Sequence, residues 1–150
     1  MWRRPQDAAQ KRKAKGVLGL VKRRLSSADA RLPQVKMVEQ RALRGFGVHH
    51  GGLLPVLKEA VELLFAAGLV KLLVATETFA MGVNMPARTV VFDGFRKHDG
   101  RNFRNLEPGE YTQMAGRAGR RGLDKVGTVL VAAWGEVPSE SCMKTLLTGV

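Results

Sequence analysis

The chain has 150 residues, 45% of them hydrophobic, which suits one domain with a real core. No apolar run approaches the ~20 residues a membrane-spanning helix needs, so the reading is no membrane. Its single cysteine, Cys142, cannot close an internal disulfide or build a cysteine-based zinc site, which fits a reducing compartment, while a formal charge of +12 favours a polyanionic partner.

The basic surplus is uneven, with 13 Lys/Arg against 3 Asp/Glu in residues 1–50 and 12 against 10 in residues 51–150. Residues 1–27 open with Arg3, Arg4, Lys11, Arg12, Lys13, Lys15, Lys22, Arg23 and Arg24 against a lone acid, Asp7. Val17, Leu18, Leu20, Val21 and Leu25 have the spacing of a short amphipathic helix behind those charges. Three readings stay open for this opening: a solvated or poorly ordered basic arm, a nucleic-acid or nuclear-localisation patch, and an organellar presequence. The domain boundary is placed near Ser26-Ser27, with residues 28–150 as the folded part.

Residues 32–47 suggest a helix opened by Pro33, and Gly45–Gly52 a short strand running into a glycine-rich turn, His49-His50-Gly51-Gly52. Adjacent histidines with no third ligand at a suitable spacing do not make a metal site, so the expected metal is none. A polar turn at the carboxyl end of a strand, where α/β folds place ligands, is the better reading. From Pro55 to Ala67, Leu57, Ala60, Val61 and Leu64 fall at i, i+3, i+4 and i+7, predicting a helix with Gly68 just past its end. Leu69–Ala75, Val90–Phe92 and Thr128–Ala132 read as buried parallel strands. The alternation of strands and helices predicts an α/β fold with a parallel sheet, its strand ends gathered on one edge.

Between the second and third strands runs Thr76-Glu77-Thr78-Phe79-Ala80-Met81-Gly82-Val83-Asn84-Met85-Pro86, read as a short turn. Thr76 and Thr78 are able either to donate to a phosphate or to cap a helix, and Asn84 to bond a sugar or base edge. Phe79 and Met81 read as core. Residues 94–109 form a polar loop whose Arg96, Lys97, Arg101 and Arg104 either face a nucleic-acid backbone or are simply solvated. A helix from about Glu110 to Ala118 carries the first part of Gln113-Met114-Ala115-Gly116-Arg117-Ala118-Gly119-Arg120-Arg121-Gly122. Planar, permanently charged arginines three residues apart among glycines suit phosphate oxygens at close approach. Pro138–Leu147 looks like the first turns of a further helix with little room to pack, and so abrupt a finish reads as a fragment.

Four blocks together resemble the second RecA-like domain of superfamily-two DExH-box RNA helicases of the superkiller antiviral type. They are Gly47–Pro55, Thr76–Ala87, Arg96–Gly100 and Gly109–Tyr111 running into Gln113–Gly122; Leu32–Val35 extends the likeness. The resemblance implies an incomplete RecA-like parallel sheet flanked by helices. It implies that Arg117 and Arg120 reach ATP held mainly by a first RecA-like domain, with Arg120 first choice for the arginine finger. Gln113 would order the γ-phosphate or the attacking water, and Gly82 and Asn84 would lie near the nucleotide. Thr76 or Thr78 would contact RNA, with His49, His50 and Gly51 lining the RNA side. The family also implies ATP and Mg2+ as cofactors, and RNA, the first RecA-like domain and an exosome-associated complex as partners. Its address is cytoplasmic, with the nucleus open.

The 150 residues contain no G-x-x-x-x-G-K-[ST] loop and no D-E-x-H strand. The expectation is therefore a helicase fragment that neither hydrolyses ATP nor unwinds RNA alone. A non-catalytic nucleic-acid-binding protein using the basic arm and a related DNA helicase remain as alternatives.

Overall fold

Chain order and local chemistry give the elements of the computed structural model, which describes residues 6–135 and 137–149. Arg3, Arg4 and the side chain of Met81, all read above, lie outside the described residues. The chain divides into two compact units, Met1–Phe79 and Ala80–Val150.

The first unit begins with the basic opening. Ala8–Arg23 is a helix, α1, started by a capping box in which Asp7 accepts from the Gln10 amide at 2.7 Å. Its apolar stripe buries Ala14, Leu18 and Val21, while Lys11, Arg12, Lys13, Lys15, Lys22 and Arg23 stay outside. A 3-10 turn, Asp29–Arg31, leads to α2, Pro33–Ala42, then strand β1, Phe46–His49. Helix α3, Pro55–Ala66, buries Leu57, Ala60, Val61 and Leu64, the four positions its periodicity marked. Strand β2, Leu72–Ala75, pairs parallel to β1 from Phe46 beside Leu72 to His49 beside Ala75. Val35, Val38, Leu69 and Val70 complete one core with the buried faces of α1 and α3.

The separate arm and the boundary at Ser26-Ser27 are therefore corrected. Residues 8–23 are a core helix of the first unit, because burial of Leu18 and Val21 outweighs solvation of a helix whose charges already face water. Gln6 adds a tie, its Nε2 donating to the carbonyls of Ala42 and Leu69.

Helix α4, Glu77–Gly82, carries the chain into the second unit, where the sequence left a short turn and a capped helix both open. Strand β3, Thr89–Phe92, pairs parallel to the later β6, Thr128–Val131. Between them the polar stretch forms an antiparallel hairpin, β4 Arg96–His98 with β5 Phe103–Asn105, instead of a loop. Asp99 closes its turn by accepting from the amides of Arg101 and Asn102, both at 2.8 Å, and Gly100 supplies the φ of 101°. Helix α5, Pro108–Ala115, and α6, Glu140–Thr148, cover a small core of Phe92, Tyr111 and Leu146. Phe92 and Tyr111 stack with ring centroids 5.1 Å apart. Leu146 is 4% exposed, so α6 packs despite standing so near the end of the sequence. Parallel pairs β1–β2 and β3–β6, with helices beside them, make the α/β class that the alternating pattern predicts.

Candidate nucleotide and RNA contacts

In the first unit, parallel pairing brings the carboxyl ends of β1 and β2 to one edge. The Thr76 amide donates to the His49 carbonyl at 3.1 Å, so the His50-Gly51 turn and the Thr76–Thr78 segment lie side by side. Gly51, Thr76 and Thr78 are exposed, and the two threonine hydroxyls share a hydrogen bond of 2.9 Å. Both hydroxyls stay accessible to a phosphodiester oxygen.

His49 does not belong with them. Its side chain is 7% exposed, its Nε2 lies 2.7 Å from Glu62 Oε1 on α3, and its ring meets Phe79 edge-on at 4.8 Å. Alternation along a strand sends His49 inward where Val48 and His50 are more open. His50 bonds locally, accepting from the Gly52 amide at 3.1 Å.

In the second unit Arg117 and Arg120, two of the three arginines of the glycine-rich run, have different fates. Arg117 turns back on its own chain. Its Nη2 and Nε donate to the Ala80 carbonyl at 2.6 and 3.2 Å, and its Nη1 to Asn84 Oδ1 at 2.8 Å. Main-chain bonds join the same segments, from Ala87 N to Arg117 O at 2.8 Å and from Gly119 N to Ala87 O at 2.7 Å. Asn84 is thus held by Arg117, and Arg117 spends its fork on this clasp.

Arg120 pairs along one edge with Asp124: Nε to Oδ2 at 2.8 Å and Nη2 to Oδ1 at 3.0 Å. The Arg120 amide also donates to Oδ2, at 3.0 Å. The Asp124 side chain is 8% exposed and that of Arg120 is 39% exposed. Those hydrogen bonds from Arg120 hold the Asp124 carboxyl down to about 2 and raise the guanidinium further above its ordinary range. Gln113 stands exposed on α5, and Gly82 is exposed at the end of α4.

The hairpin is attached to α5 through Glu110. One carboxylate takes Lys97 Nζ at 2.8 Å, both terminal nitrogens of Arg104 at 2.8 and 2.9 Å, and the Glu107 amide at 2.9 Å. Arg104 chiefly holds the Glu110 carboxyl well below the usual carboxylate range. Of the four cations read above as facing nucleic acid, Lys97 and Arg104 are therefore committed to the fold, and Arg96 and Arg101 remain exposed. Phe103 beside them is 66% exposed, with its ring edge-on to His98. Asp124 and Glu110 escaped the sequence reading. Their signals were an acid four residues after Arg120 and a capping-box acid at the start of α5.

Glu110 and Asp124 have folded pKa values below their unfolded ones, so the stability they confer is complete above about pH 5 and drains progressively as pH falls below about 4.5. Melting temperature followed from pH 7 to pH 2 should hold steady and then drop below about pH 4.5. A Glu110→Gln, Asp124→Asn variant should show a shallower drop. Identical acid profiles for the variant and the parent would rule these two groups out.

The family comparison adds a decisive match, with the model of the helicase conserved C-terminal domain aligning to residues 11–122. The chain belongs to the helicase conserved C-terminal domain family. The match starts inside α1, in keeping with that helix being part of the fold. Over 126 residues, 84% of this chain, the helicase domain is 62% identical to the DExH-box ATP-dependent RNA helicase DExH11 of Arabidopsis thaliana. It is equally identical, over the same length, to superkiller complex protein 2 of Homo sapiens. Against the exosome RNA helicase MTR4 of Homo sapiens it is 57% identical over 125 residues, 83% of this chain. The matched region covers only 9%, 10% and 12% of those three relatives. The resemblance to superkiller-type RNA helicases is thereby shown.

Proposed function

We propose that this chain is the arginine-bearing half of an ATP-dependent RNA helicase motor. It completes an ATP site whose phosphate loop and metal-binding carboxylates belong to another RecA-like domain. The observation carrying this reading is the state of Arg120: one guanidinium edge rests on Asp124, while the side chain stays 39% exposed and its Nη1 has no partner among the described residues. A fixed cation with a free edge suits the charge that develops on a transferring phosphoryl group. Arg120 is accordingly the arginine finger, and Gln113 orders the γ-phosphate or the attacking water. Arg117 serves the nucleotide side through Asn84, near Gly82.

The residues present fit a nucleotide's phosphates but not its magnesium. Glu110 and Asp124 are both engaged by cations, and no group of three His, Cys, Asp or Glu able to hold a metal occurs among the described residues. When bound, Mg2+ would neutralise charge on the phosphates from the other domain's side. RNA contacts are assigned to Thr76, Thr78, His50 and Gly51 in the first unit and to Arg96 and Arg101 in the second. Names such as superkiller complex protein and exosome RNA helicase support exosome-linked RNA decay as the setting. The proposed address is the cytoplasm, with the nucleus as the alternative. The reading as a stand-alone binding protein with a basic arm loses its main support, because the arm is a core helix.

The test uses human superkiller complex protein 2 carrying this chain in place of the segment it matches. Arg120→Ala should cut RNA-stimulated ATP turnover by about a thousandfold or more, with RNA binding retained. Full turnover by that variant, or turnover by the 150-residue chain alone, would sink the proposal.

A further inference from the structure

We infer that Asp124 is the positioning residue for the arginine finger, fixing which edge of Arg120 meets the phosphate; this rests on the assignment of Arg120 above. A guanidinium carries five N–H groups in a planar fork. Asp124 takes Nε at 2.8 Å and one hydrogen of Nη2 at 3.0 Å. Among the described residues, one hydrogen of Nη1 and the second of Nη2 remain free on the adjacent end-on edge, the pair able to grip two oxygens of one phosphoryl group. Planarity then does the aiming: with one edge bound to a carboxylate, the direction of the other is set.

The carboxylate is itself well anchored. Its Oδ2 accepts the Arg120 amide at 3.0 Å, and the Asp124 amide donates to the Arg120 carbonyl at 2.9 Å. Backbone and side chain thus form a closed loop over five residues, with Gly122 taking the bend at φ 76°. The Asp124 side chain is 8% exposed, so water competes weakly for the pair. The charge of Arg88 adds a smaller attraction for the Asp124 carboxylate. A free arginine side chain samples many rotamers, and ordering it at the moment of reaction would cost part of the finger's benefit. Prior ordering by Asp124 removes that cost. Arg117 cannot substitute, because its Nε and both terminal nitrogens already engage Ala80 and Asn84.

A residue acting this way has a kinetic signature distinct from simple destabilisation. In the same full-length host, Asp124→Asn keeps the size of the side chain but exchanges one acceptor oxygen for a donor. It should lower kcat about tenfold to a hundredfold while KM for ATP moves less than about threefold. Added to Arg120→Ala, it should cost nothing further, since the arginine it aims is gone. The nitrogen-15 resonance of Arg120 Nε in the 150-residue chain should shift and exchange faster in the variant.

The failures can be told apart. Normal kcat in Asp124→Asn alongside a dead Arg120→Ala overturns the positioning role and leaves the finger standing. Normal kcat in Arg120→Ala overturns the finger, and Asp124 with it. Equal losses from Asp124→Asn in the presence and absence of Arg120 would also overturn the inference. Should Asp124→Asn lower the melting temperature, Asp124→Glu decides, because it keeps the charge and moves it by one methylene. Reduced kcat with parental melting then supports positioning, and parental kcat overturns it.

Discussion

Removing residues 1–27 should abolish cooperative folding of the first unit. The deletion takes away α1 with Ala14, Leu18 and Val21, which are 0%, 3% and 5% exposed, and the partly buried Val17 and Leu25 packed behind them. Full burial of one Leu or Val is worth roughly 1.5–3 kcal/mol, so the lost apolar contact totals about 5 kcal/mol or more. That rivals the whole stability of an ordinary small domain. Helix α3 loses its neighbour, and the carbonyls of Ala42 and Leu69 lose Gln6. The ion pairs Lys22–Glu39 and Arg24–Glu59 go too, but they are exposed and add little. Thermal melting of residues 28–150 by far-ultraviolet circular dichroism should therefore show one broad, early transition where the full chain shows a sharp one. Coincident melting curves would restore the opening residues to the status of a dispensable arm.

Gly127→Ala should be the most damaging single methyl group in the second unit. A Cβ there would sit 2.5 Å from both the carbon and the oxygen of the Ala118 carbonyl and 2.8 Å from the Gly119 amide nitrogen. All three are main-chain atoms, so no rotamer change relieves the overlap. Gly119 faces it with φ 89°, its own Cβ position 3.2 Å from Gly127 Cα, and the two backbones touch only because neither carries a side chain. Either β6 or the Arg117–Arg120 loop has to move. Overpacking of this kind costs about 3 kcal/mol, and here it also displaces the backbone on which both arginines stand. The expected result is a lower melting temperature together with turnover in the full-length host reduced by at least about a hundredfold. Gly51→Ala, which meets nothing within 4 Å, should leave the melting temperature unchanged and serves as the control. Equal behaviour of the two variants would show that the loop tolerates the shift.

Leu72, Val74, Val91 and Leu130 are exposed, so the strands are not buried as expected. Helix α3 and the parallel pairing were legible all the same, because a regular period or an unbroken apolar run carries its own evidence. Boundaries were less so: β2 begins at Leu72, since Leu69 and Val70 are buried as connecting residues before the ladder starts. Charge hid two further elements. In α1 a dense basic face obscured a narrow apolar stripe. In the hairpin, Asp99-Gly100 was a turn signal, but its strands hold few apolar residues and are fixed through Glu110. At the site, residue types and their order pointed to phosphate chemistry. The division of labour between Arg117 and Arg120 was not readable, because it depends on a carbonyl 37 residues earlier and on a carboxylate four residues later. His49 shows the same limit, its direction being set by strand alternation and by Glu62.

The carboxylate of Glu110 has a mechanical meaning as well. It grips β4 through Lys97 and β5 through Arg104 from the first turn of α5, and the last turn of that helix delivers the chain to Gly116 and Arg117. A helix of eight residues is a stiff rod about 12 Å long. A displacement of the hairpin would therefore reach α5 through the three side-chain hydrogen bonds at Glu110 rather than through a free loop. Hairpin and arginine loop ride on one lever, with Glu110 as the rivet.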